Sequence, residues 1–105
     1  MVAPIDAKVT FEVEGEPITL RLNFRTLALA KKNGVNLMSG EDKDMLELAT
    51  AVRCLAVVDH EKMTDDEALA IVMRGGEATA NALVALFSDF AGSAGGNAKA
   101  ATNAN

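Results

Sequence analysis

The residues with the means to do chemistry are few and scattered. His60 is the only histidine of the 105-residue chain, and it stands between Asp59 and Glu61. An imidazole beside carboxylates can serve as a general base or a weak metal ligand. It falls where an apolar helical run ends, and helix ends accept cations, so it reads as a dipole-complementing or solvent-facing side chain. Cys54, the single cysteine, lies between Arg53 and Leu55. A thiol nucleophile needs a base and an orienting group, and neither accompanies it; a buried small apolar residue is the better reading. Two acidic clusters, Glu41, Asp42 and Asp44 and then Asp65, Asp66 and Glu67, invite calcium. A calcium loop needs oxygen ligands at alternating positions with glycine at the sixth, a spacing neither cluster has. Carboxylates at the positive ends of helices explain both. Gly75-Gly76 could precede a phosphate-cradling helix, but the glycine spacings of the dinucleotide and P-loop motifs are absent, and a helix stop is simpler. No catalytic, cofactor-binding or metal site is expected, and the chain reads as a non-enzyme.

The elements that would carry these residues are easier to read. Glu41 to Asp59 is the longest stretch with helical apolar spacing: Met45, Leu48, Val52 and Leu55 fall at i, i+3, i+7 and i+10. Leu46, Ala49, Ala56, Val57 and Val58 widen the stripe until most of the helix needs cover. Upstream the period changes to two. Val9, Phe11 and Val13 alternate with polar residues, as do Ile18, Leu20 and Leu22, with Glu14-Gly15-Glu16-Pro17 between. A two-residue loop at Gly15-Glu16, with Gly15 supplying the positive φ of a II′ turn, would pair Val13 with Ile18, Phe11 with Leu20 and Val9 with Leu22. Both outer edges of such a ribbon would be open to strand addition.

Asn23 can cap a first helix with Phe24, Leu27 and Ala28 or Ala30 on its face, Lys31 and Lys32 at its negative end and Gly34 as its stop. Val35 and Leu37 then return to the core. Thr64-Asp65-Asp66-Glu67 has the form of a capping box before a helix faced by Leu69, Val72 and Met73. Gly75-Gly76 should end it, and a last helix presents Ala80, Leu83, Val84, Phe87 and Phe90. The expected fold class is α+β, an N-terminal two-stranded antiparallel β-hairpin (8–22) packed on a bundle of about four helices, near 24–33, 42–59, 65–74 and 77–91. Residues 1–91 form the expected single domain, and 92–105, rich in Gly, Ala and Asn with no large apolar residue, an expected flexible tail.

Composition excludes some classes of partner. A formal net charge of −5 argues against a nucleic-acid binder, which needs a basic face. No apolar h-region opens the chain, and no window reaches the ~18 uninterrupted apolar residues of a membrane span. One cysteine permits no internal disulfide, so a soluble cytoplasmic protein is expected. Half of the residues are hydrophobic, but the only aromatics are four Phe, so the core is aliphatic and thin. A small body with such a core gains from oligomerisation or partner docking, and a homo-oligomer is one way to supply it. Met38, Met45, Met63 and Met73, with Phe87 and Phe90, are either core or an adaptable docking face.

The succession VTFEVEGEPITLRLNFRTLALAKKNGVNL, a long apolar helix, HEKMTDDEALAIV and a final amphipathic helix resembles a known family. It is similar, over about residues 8–90, to the small tail assembly chaperones of siphophage-like tails, in particular the branch found in gene transfer agents and prophages. The matching features are the strand–Gly–strand opening, Leu22-Asn23-Phe24 entering a helix, Gly34-Val35-Asn36-Leu37 leaving it, and His60 to Glu67 before a short helix. The chain departs at Lys31 and Lys32, where relatives often carry acids. The resemblance implies a non-catalytic assembly factor in the cytoplasm of a bacterial host, transiently associated with assembling tails. It would bind the tape measure protein, keep its apolar helices soluble and help recruit tail tube protein subunits. Leu46, Val57, Leu83, Phe87 and Phe90 are the expected partner-binding residues. A structural tail component using the hairpin for strand addition, or a phage-encoded inhibitor binding a host protein, are the alternatives.

Overall fold

The computed structural model describes residues 2–39 and 42–94. Its elements run β1 (Ala7–Val13), β2 (Glu16–Leu22), α1 (Phe24–Lys32), α2 (Met45–Leu55) and α3 (Asp65–Ala94). The class is α+β: one two-stranded antiparallel sheet with helices on it. The expected four helices are three, because residues 65–74 and 77–91 belong to one 30-residue element. Gly76, at φ 44° and ψ −111°, is non-helical and joins two helical stretches of that element across a kink, so the expected break at Gly75-Gly76 is present as a kink. Gly92, expected to open the tail, lies inside α3; the rest of the expected tail, from residue 95, lies outside the described residues.

The hairpin forms on the expected face but in a different register. Val13 pairs with Glu16, Phe11 with Ile18, Val9 with Leu20 and Ala7 with Leu22. The loop is Glu14-Gly15, with φ of 53° and 83°, both positive as a type I′ turn requires. Relative to the expected II′ loop, every β1 residue meets a partner two positions earlier. A shift of two preserves the side-chain face, so Phe11 and Val9 still meet apolar partners and Ala7 joins them opposite Leu22, while Val13 meets Glu16 at the loop. Pro17 also gains a tolerable place. The pair closing a two-residue loop exchanges hydrogen bonds and the next does not, so Pro17, opposite Glu12, lacks its N–H where the ladder needs none.

The helices begin and end for identifiable reasons. Asn23 caps α1, its side chain accepting from the Thr26 amide at 3.0 Å while the Thr26 hydroxyl accepts from the Asn23 amide. This turns Thr26 and Ala30 inward, with Leu27 and Leu29 half-buried; of the expected alternatives Ala30 rather than Ala28 is buried, and Phe24, expected on the same face, is exposed. Gly34, at φ 85°, stops the helix, and the Val35 amide reaches back to the Ala30 carbonyl at 2.9 Å. Val35 and Leu37 do return to the core. Helix α2 is shorter than the expected 42–59. Asp44 and Glu47 form a reciprocal capping box that fixes its start at Met45, and residues 56–59 are turns. Thr64 and Glu67 make the expected box before α3.

The buried residues form one cluster around α2, which contributes Ala49, Ala51, Val52, Cys54 and Leu55. Helix α3 packs chiefly along β1 and on α2, whereas α1 and α2 reach only β2 of the sheet. Its buried positions are Ala68, Ile71, Thr79, Ala82, Leu83 and Leu86; Met73, Ala80 and Val84, expected to face inward, are exposed. Small residues permit its close approach to β1. A Cβ at Gly75 would stand 3.0 Å from Val13 Cγ2 and 2.3 Å from the Thr79 hydroxyl, which donates to the Ile71 carbonyl across the kink. By length and composition Asp65–Gly92 is apolar enough to cross a membrane, but one such helix is weak evidence, because the core helix of a soluble protein passes the same test.

Candidate functional site

An apolar hollow opens where α1 and the end of α3 converge without packing on each other. The strand that precedes it explains its frame. Asp6 accepts from the Asn23 side chain at 2.8 Å and pairs with Arg21 at 3.3 Å, which holds the N-terminal segment against the start of α1. Pro4 and Ile5 are thereby set opposite Phe24 and Leu27, and Phe90 closes the floor from the last turns of α3. The space is open to solvent, about 890 Å³, and lined mainly by carbon. Phe24, the first residue after the α1 cap, stands 85% exposed at its rim. An exposed aromatic ring beside an apolar hollow offers a partner a large apolar contact. Asp6, Asn23 and Arg25 supply polar groups at the margin. The arrangement can take an apolar side chain or helix face, and it holds no group for bond-making.

The five residues expected to bind a partner do not come together as one face. Leu46 is 69% exposed at the start of α2, and Val57 is half-buried in the turn that follows α2. Leu83, at 8%, belongs to the core and offers nothing to a partner. Phe87 and Phe90 pack half-buried against the core, and only Phe90 lines the hollow. Phe24, Leu27, Pro4 and Ile5 were not singled out as partner residues. The available signal was the position of Phe24: directly after a cap, a residue's side chain projects from the helix end, where core neighbours are fewest.

The chemistry-bearing residues have structural employment. His60 is half-buried, and its Nε2 accepts the Thr19 backbone amide of β2 at 3.1 Å. Neither the dipole role nor the solvent-facing role expected for it describes this contact. Beside it, Asp59 accepts from Arg21 Nε at 2.8 Å and Nη2 at 3.5 Å. That hydrogen bond holds the Asp59 carboxyl below the usual carboxylate range and raises the Arg21 guanidinium above its ordinary value. His60 also lines a second, more polar hollow of about 490 Å³ with Lys62, Glu67 and Arg74. Arg74 is paired there with Glu14 at 3.3 Å. Cys54 is buried, as its apolar setting suggested, and burial pushes its thiol up, away from the nucleophilic thiolate. Arg53 bonds Asn33 at 3.1 Å and pairs with Asp65, tying the ends of α1 and α2 to the start of α3. Among the described residues, no group of three His, Cys, Asp or Glu side chains is placed to hold a metal.

Comparison of the chain with protein-family models, with curated proteins and with solved structures finds no match.

Proposed function

We propose that the chain is a non-catalytic tail assembly chaperone of the phage type. It binds apolar helices of a tape measure protein, keeps them soluble in the host cytoplasm and helps recruit tail tube subunits. The observation that carries this reading is the open apolar hollow with Phe24 exposed at its rim. An amphipathic partner helix lays anchors at i, i+3 or i+4 into such a groove, and aromatic residues dominate the energetics of contacts of that kind. The resemblance over residues 8–90 supplies the partner class, and the acidic, aliphatic composition agrees with a small factor that offers surfaces to partners. Phe24, Leu27, Ile5 and Phe90 replace most of the expected binding set as the residues that meet the partner; Leu46 and Val57 border other surfaces.

Co-expression with a siphophage-type tape measure protein, followed by pull-down and mass spectrometry, tests the reading. A soluble complex is expected, with the tape measure insoluble when alone. A tape measure whose solubility is indifferent to this chain would overturn it.

A further inference from the structure

The two outer edges of the hairpin are unequal. Pairs alternate between hydrogen-bonded and open from the loop onward, so Lys8, Thr10 and Glu12 of β1 and Pro17, Thr19 and Arg21 of β2 aim their backbone groups outward. On the β2 side, Pro17 has no N–H, the Thr19 N–H is held by His60, and Asp59 crosses to the Arg21 side chain. On the β1 side, the backbone groups of Lys8, Thr10 and Glu12 have no partner among the described residues, and all three residues are exposed. On the apolar face, Ile18, Leu20 and Leu22 of β2 are buried, whereas β1 buries Ala7 and Val13 at its ends and leaves Val9 and Phe11 at its centre half-covered.

We infer that the β1 edge is a strand-addition site for an extended segment of a partner protein. The segment runs antiparallel to β1, with a basic residue opposite Glu12, an acidic one opposite Lys8 and apolar residues opposite Val9 and Phe11. Solvated amides and carbonyls in a row form a template that another extended backbone can pair with in register. The charges select the partner's residues, because Lys8 and Glu12 lie on one face, with no opposite charge in salt-bridge reach among the described residues. A second copy of this chain does not fit the edge. Helix α3 packs along β1, and a paired copy would bring its own α3 into the same layer. Neighbouring strands lie about 4.8 Å apart, whereas packed helices need roughly 8–10 Å. The occupant is therefore a strand without a helix on that flank. The site shares no lining residue with the apolar hollow and does not depend on the chaperone reading.

A seven-residue peptide copying residues 7–13, AKVTFEV, is a suitable probe, because antiparallel pairing centred on Thr10 sets its own Glu12 against Lys8 and its Lys8 against Glu12. The labelled peptide should bind the full chain saturably and slow amide exchange at Lys8, Thr10 and Glu12. The Val9 and Phe11 amides, already bonded to β2, should keep their protection. Thr10→Pro in the chain removes the central donor at a position equivalent to the one Pro17 occupies across the sheet, and should weaken binding by about tenfold. Lys8→Glu should also weaken it, with recovery by a peptide carrying Glu12→Lys; this pair keeps the test valid if the proline variant fails to fold. Absent binding, loss of protection at Val9 and Phe11, or binding indifferent to both variants would overturn the inference. So would a dimer of the full chain, seen by sedimentation, that Thr10→Pro abolishes.

Discussion

The two ends of the apolar interior are finished differently. Around α2 the chain is sealed: Leu20, Leu22, Val52, Leu55 and Leu86 are fully buried, and α1, α3 and β2 cover the helix from three directions. At the meeting of α1 with the end of α3, the same aliphatic material stops short and leaves a hollow beneath an exposed phenylalanine. The difference lies in what the neighbouring elements reach. Gly75, with no Cβ to meet Val13, lets α3 come close to β1, while no Cα of α1 lies within 8 Å of one in α3. Sealed apolar surface stabilises the fold; unsealed surface of this size is available to a partner.

Substitution should separate the two regions by their effect on stability, and the sealed one should respond most. Leu55→Ala should cost about 2–5 kcal/mol in denaturant unfolding, since the residue is surrounded and the cavity left behind cannot collapse fully. A loss under 1 kcal/mol, a threshold well below the handful usual for such truncations, would show that α2 is not the packed centre. Gly75→Ala should follow at about 1–3 kcal/mol, because the new methyl displaces the Thr79 hydroxyl from its buried bond to Ile71 and presses on Val13. His60→Phe should cost about 1 kcal/mol by leaving the Thr19 amide without an acceptor, and His60→Gln, whose carbonyl can replace the imidazole nitrogen, should recover part of it. Equal losses in both variants would contradict the acceptor role.

The smallest effect is electrostatic. Arg21 holds the folded Asp59 carboxyl below its unfolded value. A depressed carboxylate contributes stability that is present above the unfolded value of about 3.9 and is lost as pH falls through the folded one. Acid unfolding of Asp59→Asn should therefore be less steep below about pH 4 than that of the parent chain. An unchanged acid limb would remove the pair from the account.

The hairpin shows what the sequence carried and what it withheld. Alternation of Val9, Phe11 and Val13 with polar residues specified the buried face, and that face is correct. Register depended on whether Glu14 or Gly15 opens the loop, and positive φ at a glutamate is invisible in composition. The start of α3 was legible in Thr64 and Glu67 because a capping box is local. The same pattern at Asp44 and Glu47 places the start of α2 at Met45, whereas the apolar run Ala56-Val57-Val58 gives no local signal that the helix ends at Leu55. Gly75-Gly76 marked a real interruption, since Gly76 is non-helical, but the second helical stretch resumes at once and the two run on as one kinked element. Long-range contacts account for the rest. Nothing near His60 names Thr19 as its partner, and nothing near Leu83 separates it from Val84, one buried and the other exposed, except the strand that α3 happens to meet.

The difference between sealed and open apolar surface is tested most directly by two aspartate variants in the tape measure co-expression. Phe24→Asp places a carboxylate at the first turn of α1, where the helix dipole favours it, so stability should change by no more than about 0.5 kcal/mol. Met73→Asp alters another exposed apolar residue, at 61% against 85% for Phe24, that does not line the hollow. The account predicts that Phe24→Asp loses the soluble complex and that Met73→Asp retains it. Equal retention by both folded variants would contradict docking at the hollow.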